Sequence, residues 1–382
     1  MVKFKKLGDL CYISSGGTPK RTITDYWDNG KIPWVKISDI KSKHILNTDE
    51  RITKQGLENS SAKLFPKDTI VYTIFATVGE VGILDITAAT NQAIAGIQVK
   101  DRTQLRVDYL YYFLKSIKKS VQFLGRGVAQ NNINLSVLKS ISVPIPSFQE
   151  QTAIVKVLDS LNGQIKNKHK QLTLLSQLIK ARFVEMFGDL KFDTSLSFYV
   201  NSLVAGKSLA GKQESPNKVL NTGAVSYDYF RNDSKNLPLD YVPLEKNQIQ
   251  TSDLLISRMN TQELVGAVAY VWEAPKHTYL PDRLWKAKLK DNVNPIFIWQ
   301  ALIYPLSKIQ IRRMATGTSG SMKNISKNNF LAVKIPYAKI QKQNEFANFV
   351  QQVDKSKFEN IVYLNKTLSM KILSQLGDVS RD

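Results

Sequence analysis

Two glycine-rich stretches are the first places in this sequence where residue types and spacing could do chemistry. The run FLGRG at Phe123–Gly127 fits F-x-G-x-G, a turn that can hold S-adenosylmethionine. Such a turn should follow a buried strand and open a helix, because the helix N-terminus supports the ligand. Here an amphipathic helical pattern precedes it and an Asn-rich polar loop follows, so no cofactor cradle is expected. No N-P-P-Y type motif accompanies it. The run GKSLAGKQ at Gly206–Gln213 approaches G-x-x-x-x-G-K-S/T, but Gln213 lacks the hydroxyl that would bind magnesium. Pro216 penalises the helix that should begin there. His44, His169 and His277 stand far apart, without metal-ligand spacing. Cys11 is the sole cysteine, which excludes an internal disulfide and a Cys-cluster zinc site. No paired-carboxylate nuclease motif and no nucleophile elbow occurs. The chain is expected to be non-catalytic, with no cofactor or metal of its own.

Basic and amide residues on polar loops remain. SSGGTPKR at Ser14–Arg21 joins flexible glycines to Lys20 and Arg21, and WVKISDI adds Lys36. GRGVAQNN brings Arg126, Gln130, Asn131 and Asn132. In the second half the candidates are Lys207, Lys212, Arg231, Arg258, Arg312, Arg313, Thr318, Ser319 and Lys323. Arg, Lys, Asn and Gln pair with base edges, whereas Ser, Thr and backbone N–H groups suit phosphates. The charge agrees: 53 basic against 32 acidic residues give +21, which makes nucleic acid the first candidate partner. An anionic membrane surface comes second. No run approaches the ~20 apolar residues of a spanning helix, and no apolar core of signal-peptide length follows MVKFKKLGDLCYIS. A cytoplasmic location is expected.

The elements that must carry these loops are duplicated. GRGVAQNNINLSVLKSISVPIP begins at Gly125 and GTSGSMKNISKNNFLAVKIP at Gly317. Gly125 matches Gly317, Asn132 matches Asn324, Ile133 matches Ile325 and Pro144 matches Pro336, at one offset of 192 (317 minus 125). Gln149 and Gln151 match Gln341 and Gln343 at the same offset. A position that serves both halves equally should build the fold. Asn132, Ile133 and Pro144 are therefore read as framework. Arg126 and Gln130 differ from their partners Thr318 and Met322, and are better placed to touch a ligand.

After each repeat comes a long helical pattern. The first opens on a capping box, Ser147 to Glu150. Its apolar positions are Ile154, Leu158, Leu161, Ile165, Leu172, Leu175, Ile179 and Met186, a heptad interrupted by Lys168 and Arg182. Gly188 is a natural stop. The second runs through Phe346, Val350 and Val353, skips phase, and continues through Phe358, Ile361, Leu368, Ile372 and Leu376. About 38 residues at ~1.5 Å each give roughly 57 Å. That exceeds a small domain, so the two helices are expected to pair as a coiled coil. Upstream of each lie short β-like runs broken by Gly, Pro and Asn, with one helical stretch just before the repeated loop. The expected fold is α+β with an internal repeat: globular domain 1–146, long helix 147–188, globular domain 189–338, long helix 339–378.

This arrangement resembles the specificity subunit of type I restriction–modification systems. The resemblance rests on GGTPKR with WVKISDI, the paired loop-plus-IP motifs, QEQTAIVKVLD, and the Gly-Asp helix ends at Gly188-Asp189 and Gly377-Asp378. It covers essentially the whole chain and is weakest at SLVAGKSLAGKQ. It implies a non-catalytic subunit whose two domains each read half of a bipartite DNA target. The helices would pair antiparallel as a spacer ruler. Two methyltransferase subunits would dock and methylate adenine with S-adenosylmethionine, and translocase–endonuclease subunits would use ATP and magnesium. An alternative from another class is a stand-alone duplicated nucleic-acid-binding or scaffold protein without a methyltransferase partner.

Overall fold

A computed structural model describes residues 2–124, 132–317 and 322–357. The chain divides into two compact units, and the division falls inside the long helix, between Lys168 and His169.

Among the described residues, the first unit is built on one two-stranded pair and two larger sheets. One has five strands, in the order Cys11–Ser15, Ile94–Val99, Ile70–Thr73, Val81–Leu84, His44–Ile45. The other has four, in the order Glu50–Ile52, Ile32–Val35, Ala88–Thr90, Leu64–Phe65. The run from Ile70 forms a strand buried on both faces, as its unbroken apolar character requires. Its neighbour Ile94–Val99 contains Gly96, where a Cβ would lie 2.3 Å from the Phe65 ring. That close approach joins the two sheets and explains a glycine inside a strand. The helix Val107–Ser116 covers the core with Leu110 and Leu114.

In the second unit, the four-strand order is Val200–Ala205, Leu284–Leu289, Leu254–Ser257, Val268–Tyr270. Beside it, among the described residues, lies a three-stranded sheet, Ser234–Asn236, Lys218–Leu220, Thr278–Tyr279. The helix Pro295–Ile303 takes the covering role; it starts with proline, which lacks the amide that a first turn leaves unpaired anyway.

The duplication holds at atomic detail. Strand Lys3–Lys6 pairs with Ser142–Ile145, and Thr194–Ser195 pairs with Lys334–Ile335, both antiparallel. The Ile133 N–H donates to the Ile74 carbonyl at 3.0 Å, and the Ile325 N–H to the Arg258 carbonyl at 3.0 Å. Gln151 accepts from the Arg106 N–H and donates to Gln104 and Pro146 carbonyls. Gln343 accepts from the Asn294 N–H and donates to the Ala338 carbonyl. Each glutamine is buried and holds the residue that caps a covering helix. Even the loosely matching segments correspond. Gly16 and Gly206 each end the first sheet strand with an N–H donated at 3.0 Å, to Ile94 and Pro281 respectively. A Cβ on Gly206 would sit 1.7 Å from the Leu280 carbonyl.

The long helix runs Phe148–Phe187, 40 residues. Its capping box forms: the Ser147 N–H donates to Glu150 Oε2 at 2.7 Å, and the Glu150 N–H to Ser147 Oγ at 3.3 Å. Gly188 ends it, but not through a left-handed conformation. A Cβ at Gly188 would lie 2.5 Å from the Val184 carbonyl. The expected heptad is largely followed, with Leu158, Leu161, Ile179 and Met186 buried and Leu174 and Leu178 exposed. Val155, Phe183 and Phe187 widen the stripe, because the helix also packs on its own units. In the second unit Phe183 and Phe187 meet Phe346 of helix 340–357 with ring centroids 5.5 Å apart. Val350 and Val353 join the same core. The later heptad positions, from Phe358 to Leu376, lie outside the described residues.

Candidate nucleic-acid interface

The basic loops sort into cations that the fold neutralises and cations that it leaves open. In the first unit, Arg21 and Lys36 converge on one carboxylate. Arg21 pairs with Glu50 at 2.5 Å and Lys36 with the same group at 2.8 Å. Hydrogen bonding from Lys36, and then from Arg21, holds the Glu50 carboxyl below its ordinary range. The same bond to Glu50 raises the Lys36 ammonium. Arg21 also lies over Trp27 at 3.6 Å and Trp34 at 5.0 Å. The two indoles fix the loop, donating to the Lys20 and Gly17 carbonyls. Arg21 and Lys36 thus brace the loop, and Lys20 carries the exposed charge at its tip.

In the second unit, Lys207 and Lys212 stand exposed on the loop after Ala205. That loop is tied down by Gly206 to Pro281 and Gly211 to Asn236, and no helix follows Gln213. The phosphate-cradle resemblance therefore fails on context. Arg258 is turned into the framework: its carbonyl accepts from Ile325, and its guanidinium lies 5.8 Å from the Trp285 ring centroid. Arg312 donates to the Glu263 carbonyl, while Arg313 is exposed. Lys323 donates to the Gly317 carbonyl at 2.7 Å. With the Thr316–Asn324 bridge this closes the base of the loop between them. Thr318 and Ser319 on that loop lie outside the described residues, as do Arg126, Gln130 and Asn131.

Arg231 is the most developed feature. Its guanidinium lies 4.8 Å from the Tyr227 ring and 4.6 Å from the Tyr229 ring, and donates to the Tyr229 hydroxyl. Both tyrosines are exposed, 59% and 47%. Among the described residues no carboxylate pairs with Arg231. Between the tyrosines, Asp228 points inward with φ 62°. Its Oδ1 accepts from the Val268 N–H at 2.9 Å and from Lys308 Nζ at 2.5 Å, and its carbonyl accepts from Trp299 Nε1. Burial pulls the Lys308 ammonium down and Asp228 partly offsets this. An ion pair between buried Lys308 and half-buried Asp228 thus holds an exposed Tyr-Tyr-Arg cluster in place. The link from Asn260 Nδ2 to Ser226 Oγ at 3.3 Å ties this loop to the strand pair Met259–Asn260 and Lys323–Asn324. Arg231 and Lys323 therefore stand on elements joined to each other, whereas Lys20, Arg21 and Lys36 form a separate group in the first unit. Sequence reading by charge missed Tyr227 and Tyr229. Their signal is the run YDYFR, aromatics interleaved with arginine. Among the described residues no group of three His, Cys, Asp or Glu could hold a metal, and no helix is long and apolar enough to cross a membrane.

The type I restriction modification DNA specificity domain matches twice, over residues 1–177 and 207–369. Similar proteins include the type I restriction enzyme MjaIX specificity subunit of Methanocaldococcus jannaschii, 32% identical over 48% of this chain and 43% of that protein. The HindI specificity subunit of Haemophilus influenzae is 28% identical over 48% of this chain and 40% of that protein. These matches span less than half of either relative. The fold resembles the crystal structure of a type I restriction–modification S subunit from M. genitalium, with TM-score 0.59 and 17% identity over 97% of this chain and 94% of that one. It also resembles a chain described for complex assembly and conformational transition of the type I R-M system, with TM-score 0.56 and 14% identity over 98% and 96% of the two chains. With both of its halves matched, the chain belongs to the type I restriction modification DNA specificity domain family.

Proposed function

We propose that this chain is the DNA-reading subunit of a type I restriction–modification complex, each unit reading one half of a bipartite target. The observation that carries this reading is the duplicated framework. Two units with the same strand pairing, glutamine anchor and exit helix present different exposed residues. The segment with Tyr227, Tyr229 and Arg231 joins the strands Lys218–Leu220 and Ser234–Asn236, and its counterpart in the first unit, between Ile32–Val35 and Glu50–Ile52, holds no Phe, Tyr or Trp and no arginine. Equal frames with unequal surfaces suit two different half-sites. Arg231, Lys207, Lys212, Arg313, Lys323 and Lys20 are the described cations assigned to DNA.

The 40-residue helix suits a spacer. Half-sites on one face of B-DNA recur every ~34–36 Å, and a rigid connector keeps that register where a flexible one would blur it. We assign the two long helices to an antiparallel coiled pair that sets this distance. The chain itself performs no chemistry. Two methyltransferase subunits bind it and supply adenine methylation with S-adenosylmethionine. Translocase–endonuclease subunits, with ATP and magnesium, complete the restricting form, and the complex works in the cytoplasm.

The test is co-purification. Expressed with the methyltransferase encoded beside it, the chain is expected to form a stable complex with two copies of that subunit. It should then confer adenine methylation in the presence of S-adenosylmethionine. A chain that binds DNA yet leaves the methyltransferase in the flow-through would favour a stand-alone binding protein instead.

A further inference from the structure

The first unit grips the long helix through a polar cluster that has no counterpart among the described residues of the second unit. Lys43 Nζ pairs with Asp159 of the helix at 2.7 Å and with Asp108 at 3.0 Å. The Tyr112 hydroxyl donates to the same Asp159 carboxylate, and Asn162, one turn further on, donates to the Tyr112 oxygen at 3.1 Å. Lys43 also lies 4.8 Å from the Tyr112 ring centroid. Tyr112 is only 7% exposed. Val155 and Leu158 pack into the core beside it. Beyond Asn162, among the described residues, a Cβ at Gly163 would find open space.

Counting from the shared anchors gives the corresponding positions in the second unit. Tyr112 stands six residues after the cap Arg106, and Gln300 six after Asn294. Asp159 and Asn162 stand eight and eleven after Gln151, and Gln351 and Asp354 stand eight and eleven after Gln343. There Asp354 pairs within its own helix, with Lys357 at 3.0 Å. The second unit holds its helices on an aromatic core, Phe183 and Phe187 against Phe297 and Phe346, and its polar links there, Arg182 to Glu345 and Asn294 to Asn344, are exposed. The two attachments therefore differ in kind.

We infer that Lys43, Tyr112, Asp159 and Asn162 form the joint that fixes the first reading unit on its helix, and so act as positioning residues for spacer length. This rests on the bipartite reading above. One base pair of spacer is about 3.4 Å and roughly 35° of twist. Rejecting a spacer wrong by one pair requires the reader to be held well inside those limits. Hydrogen bonds supply such a constraint, because they weaken steeply with bending and beyond ~3.2 Å. Apolar burial is non-directional and so constrains orientation less. The joint contacts no DNA under this assignment. Its loss should loosen spacing without erasing half-site recognition.

The test uses the whole complex in cells. Methylated adenines are mapped across the host genome with the wild-type chain, with Tyr112→Phe and with Asp159→Asn. The wild type should give one spacer length. Both variants should keep methylation at that spacer, while discrimination against sites one pair longer or shorter falls roughly tenfold, as expected for one charge-assisted hydrogen bond. Asn162→Ala, which leaves Lys43 and Asp159 paired, should fall between. An unchanged spacer distribution in folded variants would overturn the joint and leave the bipartite reading standing. Loss of methylation at every spacing, with the chain still folded by circular dichroism, would also overturn it. A wild-type map with no bipartite motif would overturn both.

Discussion

At the scale of residues, the decisive question is which cations are free. The sequence marks Arg21, Lys36 and Arg231 as equivalent candidates, because charge and loop composition are all it shows. Glu50, which neutralises the first two, lies at least fourteen positions from either. No local pattern links them. Arg231→Ala should weaken DNA binding roughly tenfold to a hundredfold and flatten its salt dependence, measured by fluorescence anisotropy of a labelled duplex. Arg21→Ala should instead lower the melting temperature of the first unit and leave the salt dependence unchanged. Beneath Arg231, Lys308 is buried and its partner Asp228 half-buried, so one-sided truncation is costly. Lys308→Met should destabilise the second unit by about 2 kcal/mol in denaturant titration, and adding Asp228→Asn should recover part of that loss. Equal stability of the single and double variants would remove Asp228 and Lys308 as the anchor of the tyrosine loop.

Among elements, what repeats in sequence and what repeats in structure coincide at Ile133 with Ile325 and at Gln151 with Gln343. The capping box, the helix stop and the heptad are legible because they are local. The role of the glutamines is not, since each reaches an amide more than 40 positions away, Arg106 and Asn294. Gln151→Leu and Gln343→Leu should each cost about 1–3 kcal/mol by leaving those amides unpaired. Because the two sites lie in separate units, the costs should add. The joint at Asp159 gives a pH signature. Burial alone would raise its carboxyl, but hydrogen bonds from Lys43 and Tyr112 outweigh that and hold it low. A carboxyl depressed in the folded state adds stability that is complete above its unfolded value, near 3.8. That stability is lost as pH falls through the folded value. The difference in unfolding free energy between wild type and Asp159→Asn should therefore be constant above about pH 5 and shrink below pH 4. A difference that grows on acidification would contradict the assigned direction.

For the whole molecule, the α+β class and the duplicated order of elements were readable from one repeat and two amphipathic patterns. The detailed sheets were not, because many strands are two to four residues long and paired across distant segments, such as Ile45 with Leu84. The ruler assignment makes a prediction at this scale. Inserting four residues between Asn162 and Gly163 adds about 6 Å of helix. The unspecified spacer should lengthen by one to two base pairs, with both half-sites unchanged. The most direct measurement of the central claim is the map of methylated adenines in cells that carry this chain with its methyltransferase. The expected result is one bipartite motif, two fixed half-sites around a spacer of constant length, that vanishes when the chain is deleted and whose first half changes when residues 1–146 are exchanged. A contiguous motif, or the same methylation without the chain, would contradict the account.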